Sequence, residues 1–466
     1  MYYRSMDPAT GELLAEFPSD STEATGKKID ELAESFRSWS QTEVSVRAAF
    51  IRRVAGLYRD RREELALLTA SEIGKPLAQA RGEVLLSADI YDYYADNAEA
   101  FLAPVPLEHR GGGSAYLTRE AIGTLLGIMP WNFPYYQVAR FAAPNLVLGN
   151  TVLLKHARNC PRQARVIQEI FDEAAAGMTV YLNSFVESKG VEGVLARPEI
   201  QGVSLTGSEG AGRAVATLAG TYLKKCLLEL GGSDPLIVLP GSDLPTVAAF
   251  AAQGRYRNAG QSCVSSKRTL VHTDVWDDFT ELFLAEAKTF IPADPKLEET
   301  PIGPLATPDG VRELRKLVDE ALSAGATLVY EGTTPDGFDG GNFFAPLVLT
   351  DVTPRMRAYH EELFGPVAVL YKFSSEEEAL EIANGTRFGL GAAVFGDPGE
   401  ISDSFVRRIE AGMVGVNTTI RTAPELPFGG VKASGIGREL GPVGIDEFAN
   451  LKLVHDMRSR DCSSDT

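Results

Sequence analysis

At 466 residues, 44% of them apolar, the chain is too long for one ordinary domain and predicts two or three, each with a sizeable core. With 63 acidic residues against 45 basic, the net charge of −18 gives a surface that repels nucleic acid and anionic membrane, excluding both as expected partners. There is no charged-then-apolar leader and no apolar run of bilayer length, so the expectation is a soluble, unexported, cytoplasmic chain. Cys160, Cys226, Cys263 and Cys462 are scattered at spacings that match neither a metal site nor a disulfide framework, which suits a reducing compartment.

In chain order, turn punctuation around Gly11 predicts a hairpin within residues 7–20. Helical periodicity then covers residues 21–39, 44–69 and 76–100, with Asp20 and Ser21 as candidate caps for the first. Residues 110–126 read RGGGSAYLTREAIGTLL, and three glycines followed by alternation predict a protruding β-hairpin. From residue 125, the apolar runs LLGIMP, TVLLKH, VYLN, GVSLTGS and KKCLLELGG alternate with helical stretches. This is the pattern of a doubly wound, mostly parallel α/β sheet. Ligands bind such sheets at the carboxyl ends of the strands, so Asn132, Lys155, Ser208 and Glu229 are expected to converge on one cleft. GSEGAG at 207–212 is a loose glycine turn opening a helix; alone it marks packing as readily as a dinucleotide. A second α/β series, PLIVL, RTLVHT, TLVYEG, FFAPLVLT, VAVLYKF, AAVFG and GMVGVN, predicts a second domain over residues 233–420.

The second domain opens near RYRNAGQSC, residues 255–263. Cys263 follows a helix-like run and precedes a strand-like one, at a junction where a free N–H lowers a thiol pKa. Arg255, Arg257, Lys267 and Arg268 predict a positive neighbourhood that favours thiolate, and Gly260 a close ligand approach. The alternative for a lone cysteine is a buried structural thiol.

Seven segments carry a resemblance: NAGQSC (258–263), LLELGGSDP (227–235), MPWNFPYYQVAR (129–140), LLKHA (153–157), LTGS (205–208), EELFGP (361–366) and PFGGVKASGIGRE (427–439). Together, in order, they resemble the aldehyde dehydrogenase superfamily. The resemblance implies that family's α/β fold: a cofactor-binding domain over residues 1–109 and 126–232, a catalytic domain over 233–420, and an oligomerising β arm and tail over 110–125 and 440–466. It implies Cys263 as nucleophile, Asn132 as oxyanion donor beside the Cys263 N–H, and Glu229 as the base that activates water if partial burial raises its pKa towards neutrality. Trp131, Lys155, Arg158, Gly207, Ser208, Glu362 and Phe364 are implied as cofactor contacts, with no metal. Arg158 stands where NAD-preferring members often carry glutamate, which points to NADP, with NAD also possible.

The nearest resemblance is to bacterial succinate-semialdehyde dehydrogenases, in which Arg140, Arg257 and Thr422 match positions that hold the substrate's distal carboxylate. The implied partners are a small aldehyde and copies of the chain in a homodimer or tetramer. A broad-range, a CoA-acylating and a non-catalytic member stand as alternatives. Glu229 counts against the second, because a thioester passed to CoA needs no activated water.

Overall fold

Most of the short apolar runs become strands buried on both faces, as parallel sheets covered by helices require, while the edge strand Thr327–Glu331 stays largely exposed. The computed structural model describes residues 2–110, 112–175, 177–399 and 401–458. Within them, a six-stranded sheet runs in the order Gly435–Ile436, Lys225–Glu229, Ile200–Thr206, Thr124–Met129, Thr151–His156, Tyr181–Asn183. The last five are parallel; only Gly435–Ile436 is antiparallel, against Glu229 and Leu228. Chain order proceeds outward from Thr124–Met129 in both directions, so the switch point lies between that strand and Ile200–Thr206.

The second sheet has seven strands, in the order Thr327–Glu331, Leu347–Thr350, Val367–Phe373, Arg268–His272, Pro235–Val238, Gly391–Phe395, Met413–Val416. All are parallel except the edge strand Thr327–Glu331, and each sheet carries its own apolar core. No helix among the described residues is long and apolar enough to cross a membrane.

Three local expectations are refined. Ser21 caps Thr22–Trp39 by accepting the Ala24 N–H at 3.1 Å, whereas Asp20 pairs with Lys28 at 2.6 Å. The stretch 44–69 is two helices, Val44–Asp60 and Arg62–Ile73, with the turn at Arg61 (φ −94°, ψ 15°). Glu63 and Glu64 complement the new N-terminal dipole there. The hairpin expected within 110–126 is a single strand, Ser114–Ala121, lying between Val105–Leu107 and Ala449–Asp456. Gly123, at φ 141°, turns the chain out of this small sheet and into Thr124–Met129. Residues 459–466, with Cys462 and the end of the expected tail, lie outside the described residues.

Candidate active site

The Leu244–Tyr256 helix stops before an unusual turn. Asn258 (φ 51°), Ala259 (φ 53°) and Gly260 (φ 71°) are all left-handed, at a cost of about 1–2 kcal/mol for a non-glycine residue. Side-chain bonds hold the turn. Asn258 Nδ2 donates to the carbonyls of Asn132 (3.0 Å) and Gln261 (3.2 Å), and Gln261 Nε2 donates back to the Asn258 carbonyl (3.0 Å). Gln79 Oε1 accepts the Asn258 N–H at 2.8 Å, and Gln261 Oε1 accepts the Ala306 N–H at 2.9 Å. Cys263 leaves this clamp two residues later. Gly260 also serves the packing, since a Cβ there would strike the Gly365 carbonyl.

The expected thiolate-favouring field is also corrected. Burial pushes the Cys263 thiol up to about 12, with Arg140 and Lys267 opposing the rise and Glu362 and Glu229 adding to it. Proximity in sequence was misleading, because Arg255 and Arg268 are turned away. Arg255 donates to the carbonyls of Val367, Leu363 and Gly365, and Arg268 to those of Ser233, Ile382 and Ala383. Desolvation therefore outweighs the two cations that do face the sulfur.

Asn132 lies just beyond the end of Thr124–Met129, and its Nδ2 donates to the Gln261 carbonyl at 3.1 Å. An amide has two N–H donors, so one is left for an oxyanion beside Cys263. Glu83 fixes the helix that follows by accepting the Tyr135 and Tyr136 N–H groups at 2.9 and 3.3 Å. The buried Lys75 pairs with Glu83 and covers the Phe133 ring.

Glu229 ends its strand 2% exposed, and neither carboxyl oxygen has a hydrogen-bond partner among the described residues. Burial holds its pKa well above the ordinary carboxyl range; Arg140 opposes the rise and Glu439 reinforces it. The expected rise is present, with full rather than partial burial as its cause. Gly429, at φ 151°, backs this carboxyl, and a Cβ there would come within 2.7 Å of Glu229 Oε1.

Arg140 requires the largest correction. It is wholly enclosed and ion-paired with Glu439, itself 4% exposed. Its remaining nitrogens donate to the Tyr136 hydroxyl (3.1 Å) and Thr206 Oγ1 (3.3 Å), and the Phe428 ring lies 4.4 Å from its carbon. The expected open clamp is thus already occupied by a carboxylate. Sequence reading missed Glu439 as that partner although it ends the PFGGVKASGIGRE segment, because nothing local marks a long-range pairing. Tyr136 was also missed; Arg140 donates to its hydroxyl at 3.1 Å, and Thr422 and Cys263 act on it as well. Arg257 is exposed, and Lys75 feels its charge.

Across the cleft, Lys155, Gly207, Ser208 and Glu229 stand at the carboxyl ends of adjacent parallel strands, as expected. Lys155 is 7% exposed, with no hydrogen-bond partner among the described residues, and burial lowers its pKa. Ser208 caps the Glu209–Thr221 helix. Glu362 accepts the Gly232 N–H at 3.2 Å, and Trp131 and Phe364 meet edge-on with centroids 5.9 Å apart. Arg158 is exposed and donates to the Tyr2 carbonyl at 3.2 Å. These residues fit a dinucleotide in kind: an ammonium with no hydrogen-bond partner among the described residues and a helix N-terminus stand at the carboxyl ends of strands on either side of the switch point, and a carboxylate and two aromatic rings complete the set.

Residues 1–454 match the aldehyde dehydrogenase family. The chain is similar to a succinate-semialdehyde dehydrogenase (NADP+) of Deinococcus radiodurans, 46% identical across 97% of this chain and 94% of that protein. Succinate-semialdehyde dehydrogenase (NADP+) 1 of Mycobacterium tuberculosis is 40% identical, covering 97% of this chain and 98% of its own. Among solved structures, succinic semialdehyde dehydrogenase from Streptococcus pyogenes in complex with NADP+ superposes with a TM-score of 0.94. It is 38% identical, with 97% of this chain and 99% of that chain covered.

Proposed function

As a member of the aldehyde dehydrogenase family the chain is an NAD(P)-dependent aldehyde dehydrogenase, and we propose that it oxidises succinic semialdehyde to succinate with NADP. The observation that carries the reading of the chemistry is the convergence of the Cys263 thiol and the unpartnered Glu229 carboxyl on one buried guanidinium, Arg140.

Cys263, once deprotonated, adds its sulfur to the aldehyde carbon. The carbonyl oxygen takes up the negative charge, and Asn132 Nδ2 and the Cys263 N–H donate to it. Lys155, Ser208, Glu362, Trp131 and Phe364 would hold the dinucleotide, which when bound supplies the hydride acceptor. What stays on the sulfur is an acyl group. Glu229, in its ionised form, takes a proton from water; the water oxygen adds to the acyl carbon, the C–S bond breaks, and the acid leaves with the thiol restored. We assign NADP preference to Arg158, whose guanidinium suits a 2′-phosphate. We assign the cofactor-binding role to the six-stranded unit and the catalytic role to the seven-stranded one. The small antiparallel sheet, with Leu451 and Leu453 exposed, is assigned to a homodimer or tetramer interface in the cytoplasm.

To the distal carboxylate we assign the exposed Arg257, assisted by Thr422. The enclosure of Arg140 favours a second reading, a broad-range aldehyde dehydrogenase. Steady-state kinetics with succinic semialdehyde and butanal, each with NADP and NAD, distinguish the two. A charge-assisted contact contributes about 1.5–3 kcal/mol, so Arg257→Ala is expected to lose roughly ten- to a hundredfold in kcat/KM for the semialdehyde and little for butanal. Equal rates for the two substrates in the wild-type enzyme would establish the broad-range reading.

A further inference from the structure

Lys267 is 1% exposed, and its ammonium has three N–H donors and three acceptors: the carbonyls of Ser262 and Cys263, each at 2.8 Å, and Glu362 Oε1 at 2.9 Å. The same Glu362 oxygen accepts the Gly232 N–H, three residues beyond Glu229. A Cβ at Gly231 would strike the Glu362 carboxylate, and one at Gly232 the Cys263 carbonyl. The amine therefore joins the nucleophile segment to the cofactor-facing carboxylate, and that carboxylate in turn holds the segment that follows the base.

We propose that Lys267 is a positioning residue that aims and polarises the Cys263 N–H and ties the nucleophile loop to Glu362. This rests on the reading of Cys263 as nucleophile and Glu362 as cofactor contact. The geometry follows from the trans peptide between Ser262 and Cys263, in which C=O and N–H point in opposite directions. A cation on the Ser262 carbonyl fixes that plane, aims the Cys263 N–H away from Lys267, and strengthens it as a donor by polarising the amide. The bond to Glu362 carries any displacement of that carboxylate to the same peptide. The charged and titratable groups facing the thiol are Arg140 and Tyr136 on the Pro134–Leu148 helix, Glu229 on its strand, Lys267, and Glu362.

Full-length Lys267→Met and Glu362→Gln test this, with the rate of Cys263 alkylation by iodoacetamide measured from pH 6 to 10. The expected shifts have opposite signs. Lys267→Met alkylates about tenfold more slowly at pH 8, with its profile moved to higher pH, because the cation is gone; Glu362→Gln alkylates faster, with its profile moved lower, because the ammonium is no longer neutralised. Lys267→Met also lowers kcat by roughly tenfold or more, with the aldehyde KM within about twofold of wild type, as expected for a donor used only in the transition state. Profiles that overlay wild type, or that move in the same direction, overturn the proposal. If Lys267→Met does not fold, Glu362→Gln decides alone: a downward shift supports the proposal, and no shift or an upward one overturns it. Alkylation needs no aldehyde, so a wild-type enzyme inactive on every aldehyde would refute the functional reading without touching this result.

Discussion

Arg140→Met separates a structural guanidinium from a substrate clamp. The ion pair with Glu439 is 0% and 4% exposed, so its loss belongs to the buried class rather than to surface pairs worth about 0–1 kcal/mol. Removing one partner leaves Glu439 uncompensated, at a cost of about 3–5 kcal/mol. Protonation limits that cost. Burial already raises the Glu439 pKa, and Arg140 is the main group opposing the rise, so the variant raises it further. A carboxyl whose folded pKa exceeds its unfolded value favours the fold in acid, and that contribution fades as pH climbs through the folded value. The deficit of Arg140→Met therefore grows with pH by up to about 1.4 kcal/mol per unit, from the already raised wild-type Glu439 pKa to the higher one of the variant. Urea unfolding between pH 5 and 9 reads the deficit. Arg140→Met with Glu439→Met should recover most of it, because no lone charge is left behind. Kinetics on succinic semialdehyde and butanal should fall together in the single variant. Stability within about 1 kcal/mol of wild type across that range, with loss confined to the semialdehyde, would refute the reasoning and return Arg140 to the substrate.

Glu229→Gln should release one equivalent of NADPH in a burst and then stall, because hydride transfer precedes the step that needs the base; full turnover in stopped-flow assays would remove Glu229 from that role. Arg158→Glu should move the NADP/NAD ratio of kcat/KM towards NAD by roughly ten- to a hundredfold, from the loss of a contact worth about 1.5–3 kcal/mol, and an unchanged ratio would place Arg158 away from the phosphate. Because the thiol is pushed up to about 12 and only its ionised form adds to the carbonyl, kcat/KM should rise with pH through 7–9, approaching tenfold per unit where that ionisation limits the rate. A flat profile would mean that bound molecules discharge the proton elsewhere.

The strand–helix alternation was legible because the apolar runs are short, mostly buried on both faces and bounded by turn residues; both large sheets follow from it. So were the residues that end strands, since the carboxyl edge of a parallel sheet is set by chain direction alone. What sequence could not show is which charges meet. Arg255 and Arg268 lie beside Cys263 in the chain, yet their guanidinium groups bond carbonyls of other segments, while Arg140 reaches the sulfur from a different helix. The break at Arg61 was hidden because the apolar period continues across it. The left-handed turn at Asn258 and Ala259 has no local signal either, since it is sustained by Gln79 and Ala306, both remote in sequence.

The C-terminal return to the six-stranded sheet bears on when a growing chain becomes reactive. Ser434 supplies the carbonyl that accepts the Leu230 N–H and the hydroxyl that bonds the Gly231 carbonyl at 2.7 Å; Gly435 pairs with Glu229, and Glu439 closes on Arg140. A ribosome therefore emits the nucleophile long before it emits the wall behind the base. Until that wall arrives, the Lys225–Glu229 strand is a sheet edge and Arg140 lacks its counter-ion. Premature termination between residues 264 and 430 thus yields a fragment that carries the thiol but not the wall behind the base. Such contacts, far apart along the chain, also form late in folding.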